Sequence, residues 1–259
     1  MSVDVAQALV ALLAALVAGW AGPRVLARLP EPAPDAPLNP DVSDEPVSGE
    51  PGLFERAPVV QKVLYADLAR RPRLGLVLGL ATLVLAAFVS FRVEWSWDLL
   101  VALPLVPAGV LLAYVDGQTT YLPTRIIAPM YGVAVVTIVV AALGSGDHDD
   151  LLRALIGWAI YGGSFLLFWL VFPGGWGYGD VRLAGVLGLV LGALGWPELY
   201  VGLFGGVLLG GIGGLVLTLV NRSFRKRFSY GPFMIAGAFV AIAFGSAITD
   251  ALGYGSLMR

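Results

Sequence analysis

The sequence predicts an all-α, polytopic membrane protein with about eight transmembrane helices and its N-terminus outside, and three observations carry that reading. The first is composition. Of 259 residues, 58% are hydrophobic and only 13% charged, too little polar surface to keep a chain of this length dissolved as a soluble domain. The second is that the apolar residues fall in blocks close to the ~20 residues a helix needs to cross a bilayer. These blocks run over residues 5–22, 74–91, 98–115, 125–143, 151–172, 181–196, 199–220 and 232–249. The third is the placement of bases. With the N-terminus outside, thirteen of the sixteen lysines and arginines lie in cytoplasmic segments, and only Arg92, Arg153 and Arg259 lie in outer ones. Such a bias fixes orientation, because basic loops resist translocation.

The first span belongs to a segment, residues 1–28, that carries Asp4 before the apolar run and Arg24 and Arg28 after it. Those flanks suit an uncleaved helix rather than a secretory signal. Residues 29–57 follow with Pro30, Pro32, Pro34, Pro37, Pro40, Pro46 and Pro51 among several acids. So few large apolar side chains cannot offset the entropy of ordering the chain, and a disordered cytoplasmic linker is expected. Residues 58–73 read as an interfacial amphipathic helix with its bases gathered at the end. Residues 74–259 form the expected seven-helix core. Within it Gly188 and Gly192, and Gly202, Gly206, Gly210 and Gly214, recur every four residues, a spacing that lets helix backbones approach closely inside a bundle.

Composition also excludes chemistry. The chain has no cysteine and one histidine, so thiolate nucleophiles and cysteine-ligated zinc are removed, and Ser-His-Asp catalysis has almost nothing to work with. No metal site is expected. The net charge of −2 is divided between loops and suggests no nucleic-acid partner.

Sorting the acids by predicted topology singles out two. Glu94, Asp98, Asp147, Asp149, Asp150, Glu198 and Asp250 fall at the outer side, whereas Asp116 and Asp180 fall at cytoplasmic ends of spans. An acid beside hydrocarbon is costly without a partner or a task. Two neighbouring carboxyls that share a proton make the aspartic-protease dyad, in which one activates water and the other protonates the substrate carbonyl. Gly174, Gly175, Gly177 and Gly179, just before Asp180, would give the backbone freedom to bend and let a substrate main chain come close. Leu122 and Pro123, after Asp116, would start the fourth span, since proline suits a first helical turn.

At these residues the sequence resembles the type IV prepilin peptidases. The first aspartate and its Leu-Pro step appear as Asp116 to Leu122-Pro123, and the G-x-G-D motif with a following base and leucine as Gly177-Tyr178-Gly179-Asp180-Val181-Arg182-Leu183. Gly231-Pro232-Phe233, after the basic loop Arg222 to Arg227, is a third match, and Arg28-Leu29-Pro30 a weaker one. The resemblance is good over about residues 75–245. Arg182 stands for a more usual lysine, Thr124 for an acid or amide, and the proline-rich linker replaces a cysteine-rich zinc-binding insert. The resemblance implies an aspartic endopeptidase of the cytoplasmic (inner) membrane, with Asp116 and Asp180 catalytic. Gly177, Gly179, Leu122, Pro123 and Arg182 would shape the site. Its partner would be a prepilin or pseudopilin precursor with a short basic leader ahead of a hydrophobic helix, held beside the lipid bilayer. Proteolysis would need no cofactor. S-adenosylmethionine would enter only if methylation of the new N-terminus is retained. The rival reading is a transporter or channel using the two aspartates as cation or proton sites.

Overall fold

The computed structural model describes residues 3–31, 63–93, 95–172, 177–221 and 229–257. The linker from residue 32, Gly174, Gly175 and the basic loop from Arg222 to Arg227 lie outside these. Among the described residues the regular structure is entirely helical. The long helices are α1 (Val3–Ala27), α3 (Leu74–Arg92), α5 (Leu105–Thr119), α6 (Thr124–Ser145), α9 (Tyr178–Leu194), α10 (Trp196–Asn221) and α11 (Gly231–Ala251). Shorter ones are α2 (Tyr65–Ala69), α4 (Trp97–Ala102), α7 (Asp149–Gly157) and α8 (Gly163–Val171). α4 runs into α5, and α7 reaches α8 through a π-helical turn, Trp158–Gly162.

Seven described helices are long and apolar enough to cross a membrane, counting α4 with α5 and α7 with α8 as one each. The remaining expected span, 181–196, is α9, whose 17 residues fall just short yet rise about 26 Å at 1.5 Å per residue. α9 is the most enclosed helix: Leu183 through Ala193 is buried without a break. It packs against α4, α6, α7, α8, α10 and α11. Protein rather than lipid surrounds it, so its sides can be small residues. Gly157 faces Gly188 and Gly192 across the α7–α9 contact, where a Cβ on Gly188 would fall 2.9 Å from Tyr161 Cβ. Gly206 of α10 meets Gly237 of α11 in the same way. The glycine spacing is therefore spent, at these positions, on contacts within one chain.

α1 pairs with α3, where a Cβ on Gly19 would lie 2.8 Å from the Gly75 carbonyl oxygen, and α5 joins this pair to the rest. The segment between them departs from expectation at both ends. Leu29 is buried, and both Glu31 carboxylate oxygens accept backbone N–H groups, from Tyr65 (3.0 Å) and Ala66 (2.7 Å). The start of the predicted linker is thus fastened to α2, because Glu31 satisfies N–H groups that a helix start leaves open. Within the described part of 58–73 only Tyr65–Ala69 is helical. Its Tyr65 and Leu68 are buried, so α2 packs on protein instead of lying free on a lipid surface.

Candidate active site

Polar side chains gather at two opposite ends of the bundle. One end brings together Asp98, Asp147, Asp150, Arg153 and Glu198. The other holds Asp116, Asp180, Ser229 and the Glu31–α2 contact. Asp98, Asp147, Asp150 and Glu198 thus lie apart from Asp116 and Asp180.

Asp116 lies one turn before the end of α5. The helix stops because Thr120 takes a left-handed conformation, φ 52° and ψ 32°, and donates its N–H to the Asp116 carbonyl at 2.7 Å. A β-branched residue adopts that conformation only against its steric preference. The reversal sends the chain back through Tyr121, so that Leu122 is buried beside the aspartate and Pro123 forms the N-cap of α6. Asp116 itself is 3% exposed. Its Oδ2 accepts two donors from the start of α11: the Ser229 hydroxyl at 2.5 Å and the Gly231 N–H at 2.9 Å.

Asp180 occupies the third position of α9, where its Oδ2 accepts the Gly177 N–H at 3.1 Å while its own N–H donates to the Gly177 carbonyl at 2.9 Å. This reciprocal pair closes the helix N-terminus, where a carboxylate also complements the helix dipole. Gly177 therefore supplies a backbone donor. Gly179 has a different use: a Cβ there would lie 2.9 Å from Leu122 Cβ. Leu122 also approaches Gly231, where a Cβ would fall 3.3 Å from Leu122 Cδ2 and 2.8 Å from Asp116 Oδ2. One leucine thus touches the glycine before Asp180 and the glycine bonded to Asp116. The two carboxyl groups, 64 positions apart in sequence, lie within each other's electric field. Asp180 is 9% exposed.

Among the described residues Arg182, two positions on, forms no ion pair with either aspartate. Its guanidinium lies over the Tyr178 ring, 4.5 Å from the centroid, and donates to the Thr124 hydroxyl. Its backbone carbonyl accepts the Tyr131 hydroxyl at 2.9 Å. Arg182 therefore ties α9 to the start of α6, fixing the Leu122–Pro123 turn between the aspartates. Thr124 is short enough to receive it. Ser229 escaped the sequence reading, since a serine two residues before Gly231 has no spacing that marks it. Among the described residues no group of three or more acids or histidines is placed to hold a metal ion.

Comparison with known proteins gives relatives of one kind. The prepilin leader peptidase/N-methyltransferase of Burkholderia pseudomallei strain 1026b is 32% identical over 212 residues, covering 77% of this chain and 66% of that protein. Those of Aeromonas salmonicida strain A449 and of Pseudomonas aeruginosa are each 28% identical, over 173 and 172 residues. The chain spans 58% of the length of these last two, which cover 66% of it. No solved structure matches significantly. The profile of the type IV leader peptidase family matches residues 103–215, the segment that carries Asp116, Leu122, Gly179 and Asp180. The chain belongs to the type IV leader peptidase family.

Proposed function

We propose that this chain is an aspartic endopeptidase of the cytoplasmic membrane that removes the short basic leader of type IV prepilin-like precursors at the cytoplasmic face. One observation carries the reading: Asp116 and Asp180, from separate helices, are buried together at one end of the bundle around Leu122. Two such carboxyls suit peptide hydrolysis. One takes a proton from water as it attacks the scissile carbonyl, and the other gives its proton to the carbonyl oxygen. The pair titrates as a unit, so either residue takes either role as the proton moves. Gly177, Gly179, Leu122 and Pro123 hold the two groups in register, and Arg182 holds the turn that carries Leu122.

A cation carrier would place its acids toward mid-bilayer in broken helices. Here Asp116 is one turn from the end of α5 and Asp180 is at the third residue of α9, which supports a site near the end of the spans, where a water nucleophile is within reach. The relatives' names include N-methyltransferase, but the described residues near the aspartates do not fit S-adenosylmethionine. The Ser229, Gly231 and Gly177 donors are engaged by the carboxylates. A cavity of about 410 Å³ between α1 and α2, lined by Pro23, Arg24, Ala27, Ala66, Ala69 and Arg70, offers two cations to a sulfonium ligand. No methyl-transfer step is assigned to this chain's residues.

The test is incubation of the purified protein with a peptide carrying a basic leader and a pilin-like hydrophobic helix. Wild type releases the leader, whereas Asp116→Asn and Asp180→Asn lose on the order of 10²-fold or more in rate while remaining folded. Substantial turnover by either variant would overturn the dyad.

A further inference from the structure

Tyr65 is the first residue of α2 and is 2% exposed. Its backbone N–H is held by Glu31, yet its phenolic hydroxyl is buried and has no hydrogen-bond partner among the described residues. Buried tyrosines normally find a partner for that group, because leaving it unsatisfied is unfavourable. Tyr121, Glu31 and Asp116 lie within electrostatic reach of the hydroxyl. Burial, then these neighbours, pushes the phenol well above its usual titration range, so it stays a protonated donor at any physiological pH. A donor without an acceptor therefore sits at the same end of the bundle as Asp116, on a short helix fastened by Glu31. Arg71, just after that helix, donates to Gln118 of α5 at 2.9 Å. α2 is thus anchored at its start by Glu31 and just past its end by α5.

We propose that Tyr65 contacts the substrate: its buried hydroxyl, presented by α2 at the end of α5 that carries Asp116, donates a hydrogen bond to a main-chain carbonyl of the bound leader. The role rests on the peptidase reading. A peptide entering between Asp116 and Asp180 would bring acceptors toward the end of the bundle where the Tyr65 O–H is uncommitted. The bond would hold the scissile peptide in register with the carboxyls.

Tyr65→Phe is the test, because it removes the hydroxyl and keeps the ring. Two quantities are measured on the full chain in detergent: leader release from a prepilin-like peptide, and binding of a fluorescent form of that peptide to the Asp180→Asn background with and without Tyr65→Phe. The proposal expects kcat/KM to fall about 10- to 100-fold and binding to weaken about tenfold, with a Tm unchanged or raised. A hydroxyl with a purely structural role leaves both readouts at the parent level. Equal peptide binding with Tyr and Phe overturns the proposal whether or not the protein cleaves. Failure of the wild type itself to release the leader counts against the peptidase reading, and the binding measurement then decides on Tyr65 separately.

Discussion

Gly231 offers the sharpest test of how the site is held. Its N–H donates to Asp116 Oδ2 at 2.9 Å, and a Cβ built on it would lie 2.8 Å from that oxygen, 3.2 Å from Asp116 Cγ and 3.3 Å from Leu122 Cδ2. Ordinary contact begins near 3.4 Å, so Gly231→Ala must push the carboxyl away by about 0.6 Å or tilt the start of α11. The same methyl group crowds Leu122, so the disturbance reaches toward Gly179 and Asp180 as well. Misplacing a reacting group by ~1 Å costs roughly 10²-fold in rate. Gly231→Ala should therefore lower kcat by about 10- to 100-fold with little change in KM. Gly117→Ala is the control. Gly117 adjoins Asp116 in sequence, but nothing lies within 4 Å of its Cβ position. That substitution should leave cleavage within about twofold and stabilise the helix by roughly 0.5–1 kcal/mol. Both variants are compared for leader release from a prepilin-like peptide, with thermal unfolding followed in parallel. If Gly231→Ala turns over like wild type, or Gly117→Ala loses as much, steric control of Asp116 by the start of α11 is refuted.

Other consequences follow from particular contacts. Gly188→Ala in α9 places a methyl group against the Gly157 backbone and Tyr161 Cβ, where a helix axis must move, and should destabilise the protein by about 1–3 kcal/mol. Unchanged thermal unfolding would show that the α7–α9 contact is looser than described. Thr120→Gly relieves a φ of +52° on a β-branched residue and should raise stability by about 1 kcal/mol. A lower Tm would mean that the bond from the Thr120 hydroxyl to the Thr119 carbonyl, 2.7 Å, outweighs the strain. Because the chain lacks cysteine, single introduced thiols report sidedness cleanly. His148→Cys should react with a membrane-impermeant maleimide in intact cells, and Tyr121→Cys, 46% exposed at the aspartate end, should react only after lysis. Labelling of Tyr121→Cys from outside would reverse the proposed orientation.

The sequence alone determined what depends on solvent and on local periodicity. Hydrocarbon demands long apolar helices with their backbone bonds satisfied internally, so blocks such as 74–91 and 125–143 could be read directly and correspond to α3 and α6. The pairing of Asp116 with Asp180 as candidates was also legible, since both fall at same-side span ends and both carry motif residues. Tertiary structure decided what depends on contacts between distant positions. α9 is a short helix enclosed by protein because six other helices surround it, and hydropathy cannot tell lipid from protein as the apolar neighbour. Ser229 stands at Asp116 only because α11 is folded back onto the end of α5. Glu31 left the linker because its carboxylate found the open N–H groups of α2. Gly177 and Gly179, similar in sequence, have separate uses, one donating an N–H and the other admitting Leu122. A side chain's distance to a residue 64 or 113 positions away is set by packing, which local patterns do not encode.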